Sequence, residues 1–96
     1  KLLPNDWLRP KRGNLYVMQR VVRKALAQRR PYLEFMTHSS ELMPGGSPYF
    51  PKESDVEALY DDLEALFEEI SQSCKGQTLT EFYHRYTKEI TAKATA

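Results

Sequence analysis

Residues 31–51 read PYLEFMTHSSELMPGGSPYFP, and this stretch decides the predicted fold. Its first part, residues 32–37, is short, rich in aromatic side chains and preceded by a proline, so it predicts a β-strand. The remainder, residues 38–51, contains three prolines and two adjacent glycines, which predicts a long irregular loop. Loops of this length in small domains are usually functional or disordered.

Three predicted helices surround this stretch. Each shows apolar residues at helical spacing after a residue suited to the N-cap position. The first begins at Asn14 and stops before Pro31, and the last is expected to fray from Thr91. The second and third open with the capping boxes Ser54 with Glu57 and Thr78 with Glu81.

The order helix, strand, loop, helix, helix predicts an incomplete α/β fold. A single strand cannot satisfy its own backbone N–H and C=O groups, so it needs a neighbouring strand. No second strand is visible in this sequence, and we therefore expect a second chain or a missing part of the same protein to supply it. On this view residues 1–13 are an irregular connection, and residues 14–96 are the C-terminal portion of a single catalytic domain.

The composition is typical of a globular protein. Apolar residues make up 41% of the chain and charged residues 28%. No uninterrupted apolar stretch is long enough to cross a bilayer, so we predict no membrane partner. The single cysteine, Cys74, excludes an internal disulfide and favours a reducing compartment, and we predict a cytoplasmic location.

The charges are segregated along the chain. Eight of the 14 basic residues lie between Arg9 and Arg30, and eight of the 13 acidic residues lie between Glu53 and Glu69. The basic stretch could bind phosphates of a nucleic acid. A charged face more often meets water or an oppositely charged helix of the same domain, so we predict no nucleic-acid partner.

His38 is the most chemically suggestive residue because it stands where the predicted strand ends and the loop begins. Side chains at such junctions face the crevice at the carboxyl edge of a sheet. Imidazole suits general acid or base catalysis near neutral pH, and Ser39, Ser40 and Glu41 could orient the ring or contact a polar ligand. The alternative is a structural histidine. His84, on the third helix, is interpreted as a surface or packing residue.

Two segments carry a family resemblance. Residues 33–48, LEFMTHSSELMPGGSP, and residues 76–82, GQTLTEF, resemble the C-terminal part of polysaccharide deacetylase-like proteins, the NodB-like carbohydrate esterases. The resemblance implies that the chain is a C-terminal fragment of a distorted (β/α) barrel. It also implies a hydrolase that removes the acetyl group from an N-acetylated carbohydrate.

The same resemblance implies roles for individual residues. His38 would be the general acid that protonates the leaving amine, and Met36, which replaces a usual leucine, would form an apolar wall beside the acetyl methyl. The predicted substrate-binding residues are Met36, Ser39, Ser40 and Glu41. A divalent, zinc-like metal ion would polarise the acetyl carbonyl, with its ligands on earlier strands outside this chain. The fragment alone is therefore expected to be inactive.

A second hypothesis assigns no chemistry to the chain. The basic first helix and the acidic second helix could instead form a non-catalytic helical interaction module, in which they bind partners or one another. The two hypotheses differ in what they require of His38.

Overall fold

A computed structural model of the protein describes residues 7–95 and contains three α-helices. They are α1 (Leu15–Ala27), α2 (Glu53–Ser71) and α3 (Leu79–Thr95), with one 3-10 turn (Ser39–Leu42) between α1 and α2. No residue of this described part lies in a β-strand or a sheet. The prediction of an α/β fold, as a C-terminal fragment of a distorted (β/α) barrel with one short strand, is therefore wrong. The chain folds as a small three-helix protein.

Residues 31–37, the extended segment, lie where the strand was predicted. Their side chains alternate between more and less exposed positions, as in a strand. A β-ladder needs repeated main-chain bonds to a neighbour. Among residues 7–95, the extended segment makes one main-chain hydrogen bond, from the Met36 N–H to the Leu8 carbonyl at 3.1 Å. The local pattern is present, but the ladder is absent.

Helix α1 ends before the proline that was predicted to stop it. Arg29 has a φ of 53°, in the left-handed region that commonly ends helices. The Arg29 N–H donates to the Leu26 carbonyl and the Arg30 N–H to the Ala25 carbonyl, both at 3.1 Å. This pair of bonds is a Schellman motif formed without glycine, and it lets the chain leave the helix before it reaches Pro31.

Of the two predicted capping boxes, one is present in the structure and the other is not. The predicted box at Thr78 is confirmed, since the Thr78 N–H donates to Glu81 Oε1 at 2.9 Å and the Glu81 N–H donates to Thr78 Oγ1 at 3.1 Å. The predicted box at Ser54 is wrong, because α2 begins at Glu53. There the Lys52 N–H donates to Asp55 Oδ2 at 3.0 Å. Helix α3 continues through residue 91 to its end at residue 95.

Helices α1 and α2 form the main core. Leu8, Met18, Val22 and Leu66 are buried together, and half-buried side chains pack against them, among them Leu33, Phe35 and Ile70. The apolar face of the extended segment therefore lies on the α1 and α2 pair. This contact holds the segment that leads to His38.

A second cluster fixes the loop between the 3-10 turn and α2. Phe50 is buried with Val56 and Leu59 of α2. The loop folds back on itself, because the Gly45 N–H donates to the Phe50 carbonyl at 3.1 Å and the Gly46 N–H to the Met43 carbonyl at 2.9 Å. The stretch predicted to be irregular throughout is thus a series of hydrogen-bonded turns anchored by an aromatic side chain.

Helix α3 is attached mainly at its start. Tyr32 and Phe82 have ring centroids 4.9 Å apart, which joins α3 to the extended segment. None of the described side chains of α3 is fully buried. Leu79, Tyr83 and Ile90 expose large apolar surfaces.

Replacing Gly46 with alanine is expected to destabilise the protein. A Cβ atom at this position would overlap the carbonyl oxygen of Ser40, which is backbone of the 3-10 turn and cannot move like a flexible side chain. Overpacking of this kind costs about 1–3 kcal/mol of unfolding free energy, measured by urea denaturation. Gly76→Ala is the matched control, because a Cβ there meets nothing within 4 Å. Equal stability of the two variants would contradict this account of the turn.

Candidate functional site

His38 lies where the extended segment meets the 3-10 turn. Its backbone is extended, with φ −92° and ψ 141°, and it occupies the N-cap position of the turn. The Glu41 N–H donates to the His38 carbonyl at 2.9 Å, which closes the turn. The turn brings the side chain of Glu41 back beside the ring of His38.

Three side chains meet at this point. Glu41 Oε1 lies 3.1 Å from His38 Nδ1 and 2.9 Å from Arg9 Nη2. Arg9 Nη2 also lies 3.1 Å from His38 Nδ1. We call Arg9, His38 and Glu41 the histidine cluster.

Glu41 is the buried member of the histidine cluster, with 1% of its surface exposed. Burial acts to raise the pKa of Glu41, but hydrogen bonds from Arg9 and His38 outweigh it and hold the pKa below its ordinary value. The carboxylate is therefore ionised at neutral pH and can only accept hydrogen bonds.

This ionisation favours one position for the proton of His38. A hydrogen bond from His38 to Glu41 Oε1 requires the hydrogen on Nδ1, whereas a hydrogen bond from Arg9 Nη2 to Nδ1 requires it on Nε2. Arg9 Nη2 lies 2.9 Å from Oε1 and 3.1 Å from Nδ1, which favours the arrangement in which Arg9 and His38 both donate to the carboxylate. A histidine that donates from Nδ1 uses Nε2 for proton exchange with a ligand.

The ring of His38 is open to solvent. Its side chain is 63% exposed, and within residues 7–95 the hydrogen bonds of the ring all involve Nδ1. One edge of the ring is thus held by a buried carboxylate, while Nε2 remains available to an incoming molecule. This arrangement suits proton transfer at the surface.

The other predicted site residues lie close by. Met36 is 44% exposed and occupies the same face of the extended segment as His38, since residues two apart in an extended chain point the same way. Ser39 and Ser40 are exposed in the turn. Glu41, predicted to contact substrate, instead faces Arg9 and His38, which is the orienting position that the sequence also allowed.

Arg9 was not identified from the sequence. It lies 32 residues before Glu41 in an irregular stretch without periodicity. Its backbone is held by Asn14, whose Nδ2 donates to the Arg9 carbonyl at 2.9 Å. Asn14 was the sequence feature that could have indicated the position of Arg9. It was interpreted as a helix cap, but its side chain makes no capping hydrogen bond.

Part of the basic stretch is neutralised within the chain. Arg12 pairs with Asp55 at 3.1 Å, and Arg23 pairs with Glu69 at 2.8 Å. Both pairs join the basic stretch to α2.

His84, the other histidine, lies away from these pairs. It is exposed on α3, and its ring makes an edge contact with the ring of Tyr83.

A separate cleft of about 660 Å³ lies between the ends of α1 and α2 and the start of α3. Its volume falls in the range of small-molecule sites. Neither His38 nor Glu41 lines it. The histidine cluster is therefore an open surface site rather than the floor of this cleft.

The described side chains do not assemble a metal site. Among residues 7–95, no group of three or more His, Cys, Asp and Glu side chains is arranged to hold a metal ion. The family resemblance implies that the ligands of a metal ion beside His38 lie outside this chain.

Comparison with known proteins identifies no relative. No protein-family model, curated protein or solved structure matches the chain. Within the described residues, no helix combines the length and the apolar character needed to cross a membrane.

Proposed function

We propose that His38 is the general acid in the hydrolysis of the acetamido group of an N-acetylated carbohydrate. The observation that carries this proposal is the geometry of the ring, with Nδ1 held by buried Glu41 and the rest of the side chain exposed. The resemblance of residues 33–48 and 76–82 to NodB-like deacetylases supports the same chemistry. The chain is then one part of a metal-dependent deacetylase whose metal ligands lie outside it.

The proton transfer follows from the hydrogen bonds. In the protonated ring, Nδ1–H donates to Glu41 and Nε2–H is free to donate to the nitrogen of the leaving amine. As the C–N bond breaks, that nitrogen takes the proton and His38 becomes neutral with Nδ1–H still bound to Glu41. Glu41 is a positioning residue here, since it acts through the ring.

The surface beside His38 provides contacts for the substrate. Met36 presents apolar atoms on the same face as the ring and would contact the acetyl methyl. Ser39 and Ser40 offer hydroxyl groups next to the ring, and hydroxyls are both donors and acceptors for sugar oxygens.

The direct test is acetate release by the complete polypeptide that carries this chain, supplied with a divalent metal and an N-acetylglucosamine oligomer. We expect acetate and free amines to appear in equal amounts. The fully deacetylated oligomer is the control and should release none. No acetate from the N-acetylated oligomer would contradict the proposal.

A helical interaction module is the second candidate. It is favoured by α3, whose Leu79, Tyr83 and Ile90 present large apolar surfaces to solvent. In that case His38 and Glu41 serve the stability of the turn alone. Acetate release that depends on His38 would exclude a purely non-catalytic role.

A further inference from the structure

The cleft between the ends of α1 and α2 and the start of α3 takes no part in the chemistry proposed for His38. Two pairs of aromatic rings line it. The centroids of Phe35 and Phe67 are 5.0 Å apart, and those of Tyr32 and Phe82 are 4.9 Å apart. A concave surface lined by rings favours a ligand with an aromatic body, because ring contacts add to the gain from burying apolar area.

Much of this aromatic and apolar lining is in contact with water. Tyr32 is 54% exposed, Phe67 43% and Leu26 40%. Single exposed apolar residues are common on protein surfaces, but these three line one cleft together. A ligand that covers them removes apolar area from water, and this favours binding.

The cleft also carries an excess of positive charge. Arg30, Lys75 and Arg85 line it, and Glu34 is the one acidic residue that lines it in the described part of the chain. Among residues 7–95, neither Arg30 nor Lys75 forms an ion pair. The pair of Arg85 with Glu89 is exposed and 4.0 Å long, so it leaves the guanidinium open to another acceptor.

The acidic residue nearest in sequence at the start of α3 is already bound. The Thr78 N–H donates to Glu81 Oε1 at 2.9 Å in the capping box. The positive charge of the cleft is therefore only partly compensated within the chain, and an anionic group on a ligand would complement it.

We propose that this cleft binds a small aromatic carboxylate. Its ring system would lie against the aromatic lining, and its carboxylate would face Arg30, Lys75 and Arg85. A guanidinium group suits a carboxylate because its N–H groups match the two oxygens. A neutral ligand of the same shape gains only the apolar contacts, and a cationic one is repelled.

The test is calorimetric titration of the chain with naphthoate and, for comparison, with the uncharged naphthamide of nearly the same shape. We expect naphthoate to bind with a Kd of about 0.1 mM and naphthamide to bind about fivefold more weakly. Added salt should weaken the binding of naphthoate and leave that of naphthamide unchanged. Equal affinity for the two compounds, or no binding of naphthoate at millimolar concentration, would overturn the proposal.

Cys74 reports where the naphthoate binds. It is half-buried, lines the cleft and is the only cysteine in the chain. Saturating naphthoate should slow the alkylation of Cys74 by iodoacetamide severalfold in the folded chain and should have no effect on the chain unfolded in urea. Binding without protection of Cys74 would place the ligand outside the cleft and would also overturn the proposal.

Paired charge removals test the basic side chains. Arg30→Gln combined with Lys75→Gln should raise the Kd of naphthoate about fivefold. Lys11→Gln combined with Lys88→Gln is the matched control, since it removes the same charge at exposed positions outside the cleft and should change Kd by less than about twofold. Equal Kd values for the two double variants would contradict the assignment. No metal or carbohydrate is present, so the result is independent of the deacetylase proposal.

Discussion

Replacing His38 with asparagine in the complete polypeptide is expected to lower kcat for acetate release by about 10²–10⁴-fold. Asparagine can still donate one hydrogen bond, but it carries no proton that it can give to the leaving amine. The C–N bond then has to break without protonation of its nitrogen. KM should change little, because the apolar and hydroxyl contacts at Met36, Ser39 and Ser40 remain.

The matched control for this substitution is His84→Asn. His84 is also exposed to solvent but lies on α3, away from the histidine cluster. Its replacement should leave kcat within a factor of about two of the parent value, since exposed substitutions usually have small effects. A similar loss of kcat in both variants would indicate a general effect of histidine loss and would contradict the assigned role of His38.

Replacing Glu41 with leucine is expected to lower the free energy of unfolding by about 3 kcal/mol at neutral pH. The substitution keeps a side chain of similar volume but removes the acceptor for Arg9 and His38. Within residues 7–95 the buried Nε atom of Arg9 has no hydrogen-bond partner, so the loss of Glu41 would remove the main acceptor and the opposite charge beside this guanidinium. Urea denaturation measures the change. Glu89→Leu is the control, because its pair with Arg85 is exposed and 4.0 Å long, and it should cost under about 1 kcal/mol.

The loss caused by Glu41→Leu should depend on pH. The pKa of Glu41 is lowered in the folded protein, so its contribution is fully present above the unfolded pKa of about 4.3. As pH falls through the folded pKa, the carboxylate is protonated and the stability gap between parent and variant should shrink. A gap that stays constant from neutral pH to about pH 3 would show that the charge of Glu41 is not what stabilises the turn.

The three helices were predictable because their signals are local. The apolar spacing of α1 and α2 and the Thr78 cap of α3 depend on residues within a few positions of one another. The strand was mispredicted for the opposite reason. Residues 31–37 have the alternation of a strand, but a strand also needs a neighbour, and that requirement is not local.

The histidine cluster was predictable only in part. His38 was found because it stands at a junction in the sequence, and Glu41 because it follows within one turn. The contact of Arg9 with Glu41 was not predictable, because the two residues are 32 positions apart in the sequence. It depends on the path of residues 7–10 past the turn. The burial of Glu41 follows from that contact, because a carboxylate without a cationic partner would not be stable there.

The most direct test of the central claim is the position of the proton on the neutral ring of His38, read from imidazole ¹⁵N chemical shifts by NMR. The account predicts Nδ1–H, bound to Glu41, with Nε2 unprotonated and free to exchange a proton with substrate. A neutral ring that carries its proton on Nε2 would contradict it, because Nδ1 would then accept from Arg9 and Glu41 would not orient the ring.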